Sequence, residues 1–345
     1  MNKKVLIYAD PHSVHTVKWL EGWRRLGYET IVSGLSNTIC DNKFIFKSKI
    51  NIKGGNGSEF LKNIFKFKKV LDSSNPNIIN AHFLTSYGLI GALLKRKNDK
   101  LVIFLMGTDV MITMNRNFIY LYMAKYIFNK SNLLVSSSQT MSDKILKYFP
   151  YLEDKILTQQ YGIDISLLDK YQSKDKDIDI LTNRGWVANS NYEILLDIFN
   201  KFKLSKKALI GYNGTDYAKE LKQKYPNLES SIYNMLEYKD NISMVGRCKI
   251  FISLTTSDGM PLSLLEAMYL GAIPIVSDIP TNHEVINNGI NGFIIPIDAK
   301  SLYQKIEYVL SLQENRLNEI RDINRELIKD KFDIEKSFYK MNSLI

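Results

Sequence analysis

Only two cysteines occur in the 345 residues. Cys40 and Cys248 lie far apart and follow no paired spacing, which excludes a disulfide framework and a cysteine-based zinc site. Two free thiols in a reducing cytosol are expected. Histidine is scarce as well: His12, His15, His82 and His283 are the four. They form no ligand constellation, so the chain is expected to hold no metal. Long apolar runs are missing. None reaches the roughly 20 residues that cross a bilayer, and the start "MNKKVLIYADPH" turns polar too soon for a secretory signal. The expected location is the cytoplasm. Also missing is Gly-x-Gly-x-x-Gly. The first turn reads "YADPHSVHT" and the glycines of "GYNG" have the wrong spacing, which argues against a dinucleotide oxidoreductase and its cofactor.

Negative charge is short in one half only. Residues 1–165 hold 23 Lys and Arg against 12 Asp and Glu, and the rest of the chain holds 23 against 24. The whole net charge of +10 therefore sits in the first half. Two halves of different electrostatic character imply two domains with different ligands. In the first half, "KVLIYA", "TIVSG", "NIINAH", "KLVIFLMG" and "NLLVSSS" read as buried parallel strands, with helices expected over 58–72, 86–97 and 115–130. "KYQSKDKD" at 170–177 is the best linker candidate. The rhythm then restarts with "IDILTNRG", "KKALIGYNG", "KIFISLTTSDG", "AIPIVSD" and "NGFIIPID", and helices over 190–203, 215–225, 261–270 and 299–312. The pattern predicts two successive α/β domains with parallel sheets.

One residue in this scheme is out of place. Glu266 is the only charge among the eighteen positions from Met260 to Ser277. The segment reads as a loop and then a helix, with Pro261 in its first turn and Gly271 past its end. The amides of Met260, Leu262, Ser263 and Leu264 would then be unpaired at the positive end of the helix, a site for a diphosphate. Glu266 stands one turn further on, about 7 Å along the axis. From there a carboxylate reaches the ribose hydroxyls of a nucleotide whose phosphates rest on the helix start, and their hydrogen bonds offset its burial.

The stretch "TSDGMPLSLLEAMYLGAIPIVSDIPTNHEVINNGINGFIIP" closely resembles the nucleotide-sugar segment of glycosyltransferase family 4. These are retaining enzymes of the GT-B fold, whose two Rossmann-like domains face each other across a cleft. Their signature is an acidic residue, seven others, then Glu; here it is Asp258 and Glu266, with Asp258 in place of the commoner first Glu and Gly259 next to it in the donor-binding segment. The resemblance implies that Glu266 binds ribose and Asp258 contacts the donor sugar. "NRGWVANSNYEILLDIF" resembles the segment in which an Arg and a following Lys grip the diphosphate. Arg184 fills the first position, and Asn189, Ser190 and Asn191 occupy the place of the Lys. "LMGTDV" resembles a loop facing the acceptor, with Met106 where many members have His and with Asp109 within it. "NAHFLTSYG" matches a segment in which His, here His82, follows a strand. Pro11 to Thr16 replace the usual glycine pair after the first strand. By this resemblance residues 1–165 bind the acceptor and 166–329 the nucleotide-sugar, most often a UDP-sugar. Residues 330–345 form a helix that crosses back. The same resemblance implies an acceptor that is a growing, lipid-linked glycan of a surface polysaccharide such as capsule or O-antigen.

Plainer readings stand beside these. Glu266 could face solvent on an amphipathic helix, Asp258 could enter a turn, and Arg184 could be a surface charge. Asp109 could cap a turn or orient an acceptor hydroxyl, and His82 could be a core residue or a base. Glu284 has a supporting role at most. "DID" at Asp177 to Asp179 matches a metal-holding Asp-x-Asp only superficially. The lysines of "FLKNIFKFKKVL", Lys62, Lys66, Lys68 and Lys69, and those of Lys95 to Lys97 suit either a solvated face or an anionic membrane surface. No nucleic-acid module accompanies the charge. A sugar-nucleotide epimerase or a phosphorylase on the same fold, and a non-catalytic sugar-binding relative, are the alternatives to a transferase.

Overall fold

The computed structural model describes residues 3–36, 45–47, 57–202 and 205–345. Cys40 lies outside them. Cys248 is buried and unpaired, and burial pushes its thiol up to about 12, which leaves it an inert core group. The chain divides into two compact units, Met1–Tyr161 with Ile334–Ile345, and Gly162–Asp333. The chain leaves the first unit and returns to it at one place. There the Ile163 amide donates to the Phe332 carbonyl at 2.8 Å.

The first unit is a seven-stranded parallel sheet. Its strands are β1 (Lys4–Tyr8), β2 (Glu29–Ser36), β3 (Ile45–Lys47), β4 (Ile78–His82), β5 (Lys100–Leu105), β6 (Leu133–Ser136) and β7 (Ile156–Thr158), in the order β3-β2-β1-β4-β5-β6-β7. Val5 pairs with Ile78, and Ile78 with Lys100. The inner strands are apolar on both faces because helices cover both. One face is closed by Val14–Arg25 and the C-terminal helix Ile334–Asn342. Phe338 lies 5.0 Å from the Trp19 ring and 5.6 Å from Trp23. The two helices approach closely because residue 22 is glycine, where a Cβ would stand 2.3 Å from the Phe338 ring. On the other face Phe67, Ile90, Ala124, Ile127 and Phe128 pack on Ile79, Leu101 and Ile103 in a continuous core.

The second unit has six parallel strands, β8 (Ile178–Thr182), β9 (Lys207–Tyr212), β10 (Ile232–Asn234), β11 (Cys248–Ser253), β12 (Ile273–Ser277) and β13 (Phe293–Ile295), ordered β10-β9-β8-β11-β12-β13. The chain winds outward from β8 to β10 and then restarts at β11 beside β8. That reversal opens a crevice at the carboxyl ends of β8 and β11, where doubly wound sheets bind their ligands.

Several elements differ from the sequence reading. The helix expected over 58–72 is two, Gly57–Lys62 and Ile64–Ser74. It breaks at Asn63, whose side chain bonds the Glu59 carbonyl at 2.9 Å. The helix expected over 86–97 opens as a wide π-type turn, Phe83–Tyr87, and continues only as Gly88–Leu94. The Lys95–Lys97 run is therefore a loop. The proposed linker 170–177 lies inside the second unit. Its Lys176 donates to the carbonyls of Gly246 and Leu270, each at 2.6 Å, at the ends of two helices.

Candidate functional site

The crevice of the second unit gathers most of the residues singled out above. Arg184 follows β8, and the loop Leu254–Pro261 follows β11. The Arg184 guanidinium forms an ion pair with the Asp258 carboxylate and donates to Ser263 Oγ at 3.1 Å. Asp258 is held from its other oxygen by the Gly259 amide at 2.8 Å. The backbone under Arg184 is fixed. The Tyr192 hydroxyl donates to the Arg184 carbonyl at 2.5 Å, the Trp186 and Tyr192 rings stack 4.4 Å apart, and a Cβ at Gly211 would stand 2.6 Å from that carbonyl.

Asn189 and Asn191 show what stands where a phosphate-binding lysine was missed. Asn189 donates through its side chain to the Ser257 carbonyl at 3.0 Å, and its own carbonyl accepts from the Thr256 amide at 3.0 Å. Asn191 donates to the Leu254 carbonyl at 2.6 Å. Two neutral amides thus staple the loop that carries Asp258, and they add no charge to the crevice. Ser190 is buried.

The helix after this loop is Leu262–Tyr269. Pro261 is not in its first turn: it is the extended residue just before it, with φ −72° and ψ 123°. Leu264 is also not an open donor, because its amide reaches the Pro261 carbonyl at 3.1 Å. The amides of Leu262 and Ser263 have no backbone acceptor and stand at the positive end of the helix, beside Arg184. Met260, Leu262 and Leu264 are buried. Glu266 is 5% exposed, and the Tyr238 hydroxyl donates to its Oε1 at 2.8 Å. Tyr238 begins the helix Tyr238–Gly246 and was not found from sequence. Nothing local ties it to a carboxylate 28 residues on; only the packing of its helix beside Leu262–Tyr269 does.

In the first unit the wide turn after β4 is tied to Asp109. Phe83 has φ 65°, a left-handed backbone that costs a bulky residue energy. Gly88 admits it, since a Cβ there would lie 2.5 Å from the Phe83 carbonyl oxygen. The buried Asp109 carboxylate accepts from the amides of Leu84 at 2.9 Å, Gly107 at 2.9 Å, and Met106 and Val110 at 3.1 Å. Burial raises its pKa, and these amides work against that rise. His82 sits inside, not at the rim. It is 2% exposed, 5.3 Å from the Trp19 ring and 5.7 Å from Phe104, and its Nε2 has no hydrogen-bond partner. Burial, with His15 nearby, pushes its imidazole down to about 3. For either residue to handle an acceptor hydroxyl it would have to leave this arrangement.

The Asp-x-Asp pair is committed to cations. Asp177 bridges Lys206 and Arg247, and Asp179 pairs with Lys249 at 2.7 Å. Among the described residues no three His, Cys, Asp or Glu side chains gather as a metal site requires. No helix of the described residues is long and apolar enough to cross a membrane. Glu284 is exposed after the short helix Pro280–His283.

Comparison with known proteins agrees with this geometry. Residues 4–138 match the family model described as Glycosyl transferase 4-like, and residues 167–326 match Glycosyl transferases group 1. An uncharacterized glycosyltransferase of Methanocaldococcus jannaschii, MJ1178, is 22% identical over 77% of this chain and 75% of its own. The Staphylococcus aureus capsular polysaccharide biosynthesis glycosyltransferase CapH is 26% identical over 64% of this chain, which spans 65% of CapH, just under two thirds. Anabaena HepE, solved with UDP and glucose, superposes with a TM-score of 0.78 at 15% identity, over 100% of both chains. The fold is shared end to end with HepE, and a family model in each unit, together reaching from residue 4 to residue 326, shows that the chain belongs to the family 4 glycosyltransferases.

Proposed function

We propose that the protein moves a sugar from a nucleotide-sugar, a UDP-sugar by preference, onto a glycan acceptor in surface-polysaccharide assembly. The observation that carries this reading is the crevice of the second unit. Arg184, which follows β8, meets the start of one short helix at Ser263; the open amides of Leu262 and Ser263 begin that helix, and the buried Glu266 lies one turn further on, the order that a diphosphate and then a ribose require. The UDP in HepE and the capsule role in CapH's name support the donor and the product class. In this reading Glu266 accepts from the ribose hydroxyls, and Asp258 and Gly259 contact the donor sugar. The open amides of Leu262 and Ser263 hold the phosphates.

Charge gathers on the departing diphosphate in the transition state, and Arg184 with the helix start stabilises it there. The reaction is a retaining transfer. The acceptor attacks from the face that the leaving group vacates, and its proton passes to the leaving phosphate oxygen. Asp109 acts by holding the acceptor loop, residues 106–110, in place, and His82 acts as a neutral packing group beneath it. The acceptor is lipid-linked, and the protein works at the inner face of the cytoplasmic membrane.

Isothermal titration with UDP tests the donor site. Glu266→Gln is expected to weaken UDP by about 1.5–3 kcal/mol, the worth of a hydrogen bond to a charged acceptor. Equal affinity in the two proteins would remove ribose from this helix. Because Arg184 and the amides supply the positive charge, transfer is expected to persist in excess EDTA. An absolute need for a divalent ion would instead assign the phosphates to a carboxylate-held metal.

A further inference from the structure

The helix Phe118–Lys130 in the first unit has the wrong outer face for water. Its inner side, Ala124, Ile127 and Phe128, is fully buried against the sheet. The stripe that points away from them should then be polar. It is made of Phe118, Ile119, Tyr122, Lys125, Tyr126, Asn129 and Lys130. Phe118 is 78% exposed, Tyr122 76% and Ile119 61%. Two more aromatics extend the patch at its ends. The Tyr148 hydroxyl accepts from Asn115 at 3.1 Å, and the Tyr151 hydroxyl donates to Asn129 at 3.0 Å. Single exposed apolar residues mean little, but a contiguous aromatic face on one helix marks a partner.

The charge around the face says which partner. From Asn115 to Lys130 there is no Asp or Glu, while Arg116, Lys125 and Lys130 are cationic. Lys130 also lies over the Tyr126 ring, 5.8 Å from its centroid. Aromatic rings that carry polar tips, interleaved with cations on a helix that holds no acid, suit the boundary between headgroups and acyl chains of an anionic bilayer. The lysine helices at 57–74 fit less well, since Lys62 is paired with Glu59 and Lys68 with Asp72. Ile112, 57% exposed, lies in the turn Asp109–Thr113 that leads into the face. The loop that Asp109 organises is thus continuous in sequence with the aromatic stripe.

We propose that the outer stripe of Phe118–Lys130 is a lipid-docking surface, which seats the first unit on an anionic membrane with Phe118, Ile119 and Tyr122 in the interface. This concerns lipid binding alone and does not depend on the donor-site reading; UDP titration and vesicle binding fail separately.

The chain supplies its own spectroscopic window. Its three tryptophans, Trp19, Trp23 and Trp186, are all fully buried, so Phe118→Trp adds the one tryptophan at the surface. With vesicles of phosphatidylcholine and phosphatidylglycerol in equal parts, the emission of this variant is expected to shift to the blue and to be quenched by brominated acyl chains. Phosphatidylcholine alone should leave it unchanged. In co-sedimentation, the triple variant Phe118→Ser, Ile119→Ser, Tyr122→Ser is expected to bind the anionic vesicles about tenfold or more weakly, as lost apolar area predicts. Lys62→Gln, Lys66→Gln, Lys69→Gln should weaken binding far less. Three results overturn the proposal: no binding of the unaltered protein to anionic vesicles, an unmoved emission from the Phe118→Trp variant while it sediments with them, or a dimer in ultracentrifugation that the triple variant abolishes. If the triple variant unfolds, the emission of the conservative Phe118→Trp variant decides.

Discussion

At the scale of single residues, the chain buries polar groups where an apolar one would be cheaper. Glu266 is held by Tyr238, and Asp109 by four amides. His82 has no partner on Nε2. A histidine whose folded pKa is near 3 and whose unfolded pKa is near 6.5 binds its proton more readily when unfolded. Its full stability is present above about pH 6.5 and drains as the pH falls from there toward 3, by up to about 1.4 kcal/mol per pH unit. His82→Phe is therefore expected to flatten the fall of Tm with acidification over that range. A slope that is the same in both proteins would mean that other groups carry the acid sensitivity. Glu266 was legible in the sequence because it interrupts eighteen otherwise uncharged positions. The arginine was legible from its place after a strand, but its resident partner was not. That Arg184 pairs with Asp258, 74 residues away, follows only from the adjacency of β8 and β11.

At the scale of elements, strands were easier to read than helix ends. β1, β5 and β12 are near-continuous apolar runs buried on both faces, and such runs declare themselves; β4, β8 and β11 are mostly buried too, although Asn80, Asp179 and Lys249 interrupt them. The three-residue strands β3, β7 and β10 were not read from the sequence, whereas the equally short β13 was, because it lies in the apolar run of "NGFIIPID". The 18-residue helix Glu314–Lys331 was missed for a different reason. Only Ile320, Asn324 and Ile328 along it are buried, so its apolar signal is thin. Lys176 shows how a polar stretch can mislead. "KYQSKDKD" has the composition of a linker, yet its ammonium closes the carbonyl ends of Tyr238–Gly246 and Leu262–Tyr269 together, a favourable place for a cation. Those two helices carry Tyr238 and Glu266. Lys176→Ala should lower stability in urea by about 2 kcal/mol, as charge-assisted bonds to half-buried carbonyls are lost. The exposed Lys174→Ala should stay within about 0.5 kcal/mol of the unaltered protein. Equal midpoints for the two variants would return the segment to the status of a linker.

At the scale of the whole molecule, the sequence showed two α/β units, and the distribution of charge already separated them. Composition and periodicity do not show that the first unit is discontinuous; only the family resemblance implied a segment, residues 330–345, that returns to it. The core of the first unit is finished by Phe338, 1% exposed, from a segment that follows the entire second unit. Removing Ile334–Ile345 should cost at least what truncating a buried Phe costs, about 3–5 kcal/mol, and should shift the emission of Trp19 and Trp23 to the red. Unchanged emission would show that the two rings find another cover. The order of synthesis gives this arrangement a further meaning. Residues 162–333 form a continuous stretch that can fold as it leaves the ribosome. The first unit, although made earlier, must wait with Trp19 and Trp23 uncovered until Phe338 has emerged. At about 5–20 residues per second, that wait lasts many seconds, and the half made first is the last to mature. A nascent chain stalled before residue 338 would present its oldest aromatic core to chaperones while its younger domain is already native.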